Sequence, residues 1–160
     1  MKSQAAVLRE QPGKWEIVEV DVEPPRQGEL LVRLEAAGLC HSDDHVATGD
    51  LPIPGLPIAG GHEGAGIVDE VGPHTPEWKV GDRVILSFLP ACGHCRWCAS
   101  GRQNRCDSGV NIPALIELYR RGQLRLYELT TRRYTLGQVN EGYIDMRAGL
   151  NMRGVIELQH

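Results

Sequence analysis

The stretch Cys92-Gly93-His94-Cys95-Arg96-Trp97-Cys98, closed by Cys106, gathers four of the chain's five cysteines into fifteen residues. Two, two and seven residues separate successive members of the set. Thiolates two residues apart on a tight turn can reach the same tetrahedral zinc at about 2.3 Å. Gly93 supplies the turn freedom, and the loop to Cys106 is long enough to bring in a fourth sulfur. A closed four-sulfur shell leaves no position for water or substrate, so this ion is expected to be structural. Its binding energy would hold together a loop too polar to pack alone. Two other readings compete. The thiols could be reduced or disulfide-linked without metal, or they could hold an iron–sulfur cluster. A bacterial ferredoxin run continues with three residues, Cys and Pro; here seven residues intervene and Asp107 follows Cys106. Zinc fits better.

Composition bounds what surrounds this lobe. With 160 residues the chain has room for one domain and little more. Nineteen glycines and ten prolines favour short strands joined by turns. The net charge of −4 has the wrong sign for a nucleic-acid partner, whose phosphates need clustered cations. The one basic cluster, Arg132-Arg133 with Arg120-Arg121 and Arg125 nearby, reads as solvated helix and loop surface. No segment approaches the roughly 20 apolar residues that cross a bilayer, so no membrane partner is expected. The N-terminus carries no signal-peptide core, which makes the cytoplasm the expected location. In that reducing setting, crowded cysteines point to metal.

Upstream of the lobe, Ala5–Arg9, Trp15–Val20, Leu30–Ala36, Ala65–Val71 and Arg83–Phe88 read as strands, making Met1–Leu89 a β-rich body. A short helix is expected from a Ser42 cap to Gly49. Downstream, Asn111 can cap a helix over Ile112–Arg121, with Leu115, Ile116, Leu118 and Tyr119 as its apolar face and Gly122 as its stop. Thr135-Leu136-Gly137-Gln138 has the capping-box pattern. The helix after it presents Val139, Tyr143 and Met146 on one side and ends at Gly149, and Gly154–Leu158 is a last strand.

The fifth cysteine opens Cys40-His41-Ser42-Asp43-Asp44-His45, and Gly60-Gly61-His62-Glu63-Gly64-Ala65-Gly66 follows. Taken singly, a Cys is most often a small buried hydrophobe and a His a surface or core residue. Cys40, however, stands outside the complete four-sulfur set. His62 and Glu63 lie in a glycine-dense turn, where backbone can approach something closely.

In order along the chain, Gly38-Leu39-Cys40-His41-Ser42-Asp43, Gly61-His62-Glu63-Gly64-Ala65-Gly66, Val80-Gly81-Asp82-Arg83-Val84 and the cysteine lobe resemble the zinc-dependent alcohol dehydrogenases of the medium-chain family. The NDMA-dependent, nicotinoprotein-like actinobacterial branch is the nearest in flavour. The likeness runs from Met1 to about Asp107 and resumes near Ile112, where two helices and Arg153-Gly154-Val155-Ile156 resemble the family's C-terminal segment. It implies a β-rich α+β fold, a GroES-like catalytic domain with a zinc lobe and C-terminal helices. It also implies that Cys40 and His62 bind a catalytic zinc, with Glu63 as an alternative or transient ligand. By the same resemblance Asp43 accepts a hydrogen bond from the His62 ring and fixes its tautomer. Ser42 takes the substrate hydroxyl's proton, His45 passes it towards solvent, and His41 faces a cofactor pyrophosphate. The implied reaction oxidises an alcohol to an aldehyde or ketone. Zinc stabilises the alkoxide but has no redox change of its own, so the hydride goes to NAD(P).

Two parts of that pattern are missing. The family's third catalytic ligand, typically a Cys, has no counterpart, and no strand–Gly-x-Gly-x-x-Gly–helix unit occurs. The expected organisation is therefore an N-terminal catalytic segment over 1–109, with the zinc lobe at 90–108, and a C-terminal segment of the same domain over 110–160. The nicotinamide-binding domain is absent at a junction near 107–112. Two readings follow: an alcohol dehydrogenase catalytic domain impaired by this loss, or a non-catalytic zinc-stabilised binding module derived from one. Either leaves sheet edges uncovered, which predicts a homo-oligomer. Light scattering after size-exclusion chromatography should give a multiple of the chain mass; a compact monomer would count against that expectation.

Overall fold

A computed structural model gives the fold and describes residues 1–87, 91–102, 106 and 112–159. In chain order the elements are β1 (Lys2–Leu8), β2 (Glu16–Asp21), β3 (Leu30–Gly38), α1 (His41–Thr48), β4 (Ile58–Ala59), β5 (Gly64–Val71), β6 (Arg83–Ile85), α2 (Arg96–Ala99), α3 (Ile112–Arg120), β7 (Thr130–Tyr134), α4 (Val139–Arg147) and β8 (Arg153–Glu157). A 3-10 turn over Leu136–Gln138 leads into α4. The chain divides into two compact units, Met1–Leu86 with Thr131–His160, and Ser87–Thr130.

The first unit holds two sheets, ordered β2-β1-β4 and β6-β5-β3-β8-β7. Strand β3 is central to the larger one. It pairs antiparallel with β5 from Leu30↔Val71 to Ala37↔Gly64, and its end pairs with β8 from Ala36↔Glu157 to Gly38↔Val155. The β3–β5 ladder slips between Leu34 and Ala36. There the backbones crowd so closely that a Cβ on Gly66 would lie 2.2 Å from the Arg33 carbonyl oxygen, so the position admits glycine alone.

The core of this unit joins Leu8, Trp15, Leu39, Ala47, Tyr134, Val139, Tyr143, Met146 and Ile156. Leu39 directly follows β3 and is almost fully buried. Its Cδ1 occupies the space that side chains on Gly142 of α4 and Gly154 of β8 would need, at 2.4 and 2.8 Å from their Cβ positions. Its amide also donates to the Gly154 carbonyl at 3.0 Å. Packing and hydrogen bonding together therefore pin the chain one residue before Cys40. Helix α1 is tied to α4 by an ion pair between the buried Asp44 and Arg147. Tyr134 donates to Asp145 at 2.8 Å, and Asn151 donates to the Tyr134 hydroxyl at 3.0 Å, which joins β7, α4 and the turn before β8.

Several sequence expectations hold with small shifts of boundary. Gly49 ends α1 at φ 91°, Gly122 lies beyond α3 at φ 69°, and Gln138 Oε1 accepts the Thr135 amide at 3.0 Å, as a capping box requires. Val139, Tyr143 and Met146 are all buried. Others are corrected. Ser42 does not cap α1: the cap position is Cys40, and Ser42 lies inside the first turn. The backbone turns as soon as β3 ends, so the helix starts earlier than the hydroxyl signal implied. Leu115 and Leu118 of α3 are exposed, so its apolar face is not a core face within the described residues. Arg132 and Arg133 sit on a strand and pair with Asp145 and Glu157. Charged residues hid β7 from a hydrophobicity-based reading. The last strand starts at Arg153. Phe88 and Leu89, the Asn111 cap and the junction at 107–111 lie outside the described residues. Among the described residues no helix is long and apolar enough to cross a membrane.

Truncating Leu39 to Ala should destabilise the chain by about 2–5 kcal/mol, since the two facing glycines cannot fill the gap. Urea unfolding followed by circular dichroism measures it; a loss under about 1 kcal/mol would contradict the pinning role.

Candidate metal sites

The register of β3 and β5 assembles the first site. Because Ala37 faces Gly64, the residues that follow β3 and those that precede β5 run side by side. The Gly38 amide extends the ladder by one bond, donating to the Glu63 carbonyl at 3.0 Å. Cys40 and His62, twenty-two residues apart in sequence, are thereby brought to one place. One ligand atom each from Cys40, His62 and Glu63 lies within 4.8 Å of the others.

Asp43 organises the loop that carries His62. This buried residue, in the first turn of α1, accepts the Gly61 amide at 3.1 Å. Its Oδ1 and Oδ2 lie 3.3 and 3.2 Å from His62 Nδ1. With the Nδ1 proton directed at this carboxylate, Nε2 is left as the lone-pair donor of the ring. Gly61 adopts φ 94°, a left-handed conformation that lets the loop turn its amide to Asp43 while presenting His62. The Cys40 thiol contacts Ser42 Oγ at 3.6 Å.

The site concentrates negative charge. Burial first, and then the carboxylates of Asp43 and Asp44, Cys40 and the Glu63 carboxylate, push the Tyr143 phenol well above its usual range. A soft thiolate, an imidazole and a carboxylate converging in this field form a donor set suited to zinc.

The family resemblance implies a proton route on Ser42 and His45 and a cofactor contact on His41. His41 and His45 are both exposed on α1, with ring centroids 6.3 Å apart. His45 Nδ1 lies 3.5 Å from Asp50 Oδ2, and among the described residues no hydrogen bond joins it to Ser42. Two residues were not foreseen. Arg153 Nη1 sits 3.5 Å from Glu63 Oε2, and Gly38 leaves the space that the same carboxylate oxygen occupies. Their separation in sequence from Glu63 gave no local signal of either contact.

The second unit contains the cysteine lobe. The ligand atoms of Cys92, Cys95, Cys98 and Cys106 all lie within 4.8 Å of one another, and no disulfide links them. Sulfurs about 2.3 Å from a tetrahedral ion stand about 3.8 Å apart, and Cys92 and Cys98 are separated by 4.0 Å. Gly93 turns at φ 78°. The Cys95 amide points at Cys92 Sγ and the Cys92 amide at Cys106 Sγ, each at 3.3 Å, contacts that favour thiolates. Burial and hydrogen bonding with the Cys95, Cys106 and Cys92 sulfurs instead push the Cys98 thiol up to about 12. So many sulfurs in one pocket can ionise together only around a cation. The donor set fits zinc.

Residues 26–141 match the family model described as the alcohol dehydrogenase GroES-like domain. This chain belongs to that family. An NDMA-dependent alcohol dehydrogenase of Amycolatopsis methanolica is 52% identical over 112 residues, covering 70% of this chain and 30% of the relative. A putative alcohol dehydrogenase D of Mycobacterium tuberculosis is 54% identical over the same length, with the same coverage. Among solved structures, an alcohol dehydrogenase zinc-binding domain protein from Burkholderia ambifaria matches with a TM-score of 0.58 at 42% identity, over 67% of this chain and 28% of that one. Benzyl alcohol dehydrogenase from Acinetobacter calcoaceticus matches with a TM-score of 0.56 at 37% identity, over 67% of this chain and 29% of that one. The chain thus spans about a third or less of the length of the relatives it matches. Its fold is that of a GroES-like alcohol dehydrogenase catalytic domain carrying a cysteine lobe.

Membership of this family leads to an expectation for the lobe. Elemental analysis of the purified chain should find zinc that survives Cys40→Ala, and the four lobe cysteines should resist alkylation until a chelator is added. Free alkylation of all four in the native chain would rule out a lobe metal.

Proposed function

We propose that this chain is the alcohol-handling part of a zinc-dependent alcohol dehydrogenase, built around a cation held by Cys40, His62 and Glu63. The observation that carries this reading is the convergence of these three donors at the end of the β3–β5 ladder. The relatives from Amycolatopsis methanolica and Mycobacterium tuberculosis, both alcohol dehydrogenases in name, support it. Three protein ligands leave a position for an alcohol oxygen, and zinc there would supply the charge that lowers the alcohol's pKa. Cys40 and His62 would bind the ion, Asp43 would hold the His62 ring in its ligating tautomer, and Ser42, beside Cys40, would take the hydroxyl proton. His45 on the exposed face of α1 would release it to solvent.

The residues present do not fit a nicotinamide cradle, because the sequence contains no strand–Gly-x-Gly-x-x-Gly–helix unit. Hydride transfer is therefore not assigned to this chain alone. In this proposal 1–109 and 110–160 are two segments of one catalytic domain, and the nicotinamide-binding part is supplied from outside them. The exposed Val80, Ile85, Leu86, Leu150 and Met152 of the first unit support self-association.

A second reading has its own support. A lobe with a closed four-sulfur donor set and no cofactor cradle also suits a zinc-stabilised module without catalysis. The two separate by alcohol binding at the metal, read in the cobalt(II)-loaded chain by its thiolate-to-metal absorption. The enzyme reading expects a simple primary alcohol to perturb that absorption in the native chain, an effect lost in both Cys40→Ala and His62→Ala. No alcohol-dependent change in the loaded native chain, or a change that persists in both variants, would favour the module.

A further inference from the structure

We propose that His41 and His45, on the exposed face of α1, form a further metal site, one that takes a borderline divalent cation such as zinc or nickel through one nitrogen of each ring. The inference goes beyond the alcohol-handling reading and does not depend on a metal at Cys40.

The two histidines stand four residues apart on a helix, a spacing that puts both rings on one face and lets them share an ion. Both are exposed, and their ring centroids lie 6.3 Å apart at a tilt of 41°. Two imidazoles bound to one tetrahedral ion at about 2.1 Å have centroids about 5 Å apart. Closing the difference takes roughly 1 Å of ring movement, which exposed side chains reach by rotations in nanoseconds or less. The pair is separate from the Cys40 set. His41 follows Cys40 directly, but the ligand atoms that converge with the Cys40 thiol are those of His62 and Glu63. Cys40 is half-buried at the cap of α1, whereas His41 opens the helix on its solvent side.

Asp50 selects the ligating nitrogen of His45. Its Oδ2 lies 3.5 Å from His45 Nδ1 and accepts the Thr48 hydroxyl at 2.6 Å, so the carboxylate is anchored just past the end of α1. With the Nδ1 proton towards this carboxylate, Nε2 carries the lone pair, the arrangement in which an acid holds a metal-bound imidazole from behind. The same negative charge offsets the positive N-terminal end of the helix dipole, which opposes a cation at His41. Imidazole nitrogens, with water in the remaining positions, suit zinc, copper and nickel; magnesium and calcium prefer oxygen. Two protein donors make an exchangeable site, filled and emptied with the level of free metal. Nε2 of His45 is also the atom free to take a proton in the proposed alcohol reaction, so a bound cation would close that route.

Nickel(II) is the probe, because its unpaired electrons broaden the NMR signals of the groups that bind it. The full chain, first loaded with zinc and then freed of excess metal, is titrated with Ni2+ while the histidine ring signals are followed, and calorimetry gives the affinity. The His41 and His45 signals are expected to broaden together, ahead of those of His74 and His94, which have no histidine four residues away. His41→Gln and His45→Gln should each weaken Ni2+ binding about a hundredfold, the scale of losing one of two linked donors. The double variant should weaken it little further, and unfolding midpoints show that each variant is folded. Broadening of all four histidines at the same Ni2+ concentration overturns the proposal. So does a loss confined to one of the two single variants, or single losses that merely add in the double variant, since the rings would then bind separately.

Discussion

The pairing of β3 with β5 is the constraint on which the rest of the first unit depends. A strand pair has a register, and a slip of one residue turns every side chain to the opposite face. Here the register sets Ala37 against Gly64, which puts the chain after β3 beside the chain before β5. Cys40, His62 and Glu63 owe their proximity to that arrangement. The close approach at Gly66, where a Cβ would strike the Arg33 carbonyl, locks the ladder at one of its two irregular points. Leu39, wedged into spaces left by Gly142 and Gly154, then stops the end of β3 from sliding. Precise placement of a thiol thus derives from three glycines and one leucine, none of which has metal chemistry.

Around this frame the electrostatics run against ordinary stability. A thiol, three acids and a buried phenol share one end of the first unit, and burial of like charges is costly without compensation. Part of the compensation is internal: Arg147 answers Asp44, the Gly61 amide and the His62 ring answer Asp43, and Arg153 answers Glu63. Cys40 has the Ser42 hydroxyl as a partner. The cysteine lobe presents the same problem in simpler form, with four sulfurs close together and a Cys98 thiol pushed up by burial. Both places offer donor sets that could hold a cation, four sulfurs in the lobe and a thiol, an imidazole and a carboxylate at the end of β3.

Much of this was legible in the chain, and the part that was not has definite causes. The cysteine spacing declared the lobe because all four donors lie within one short loop, where local geometry limits the options. Val139, Tyr143 and Met146 declared the buried face of α4 by helical periodicity. Strand β7 stayed hidden because Thr130-Thr131-Arg132-Arg133 carries no apolar alternation, and its arginines are held by acids elsewhere in the fold. Ser42 looks like a helix cap because a hydroxyl near a helix start is a statistical signal, but here the cap lies two residues earlier, at Cys40.

Motif order along the chain, read by itself, was enough to identify the family, the lobe and the candidate ligands, because those signals are contiguous or recur at fixed spacing. Tertiary structure alone decided that Glu63 reaches Arg153 over Gly38, that Asp43 holds both Gly61 and His62, and that His45 turns to Asp50. Such contacts depend on strand register and on which glycines leave space. They are properties of residues that become neighbours only once the sheet has formed.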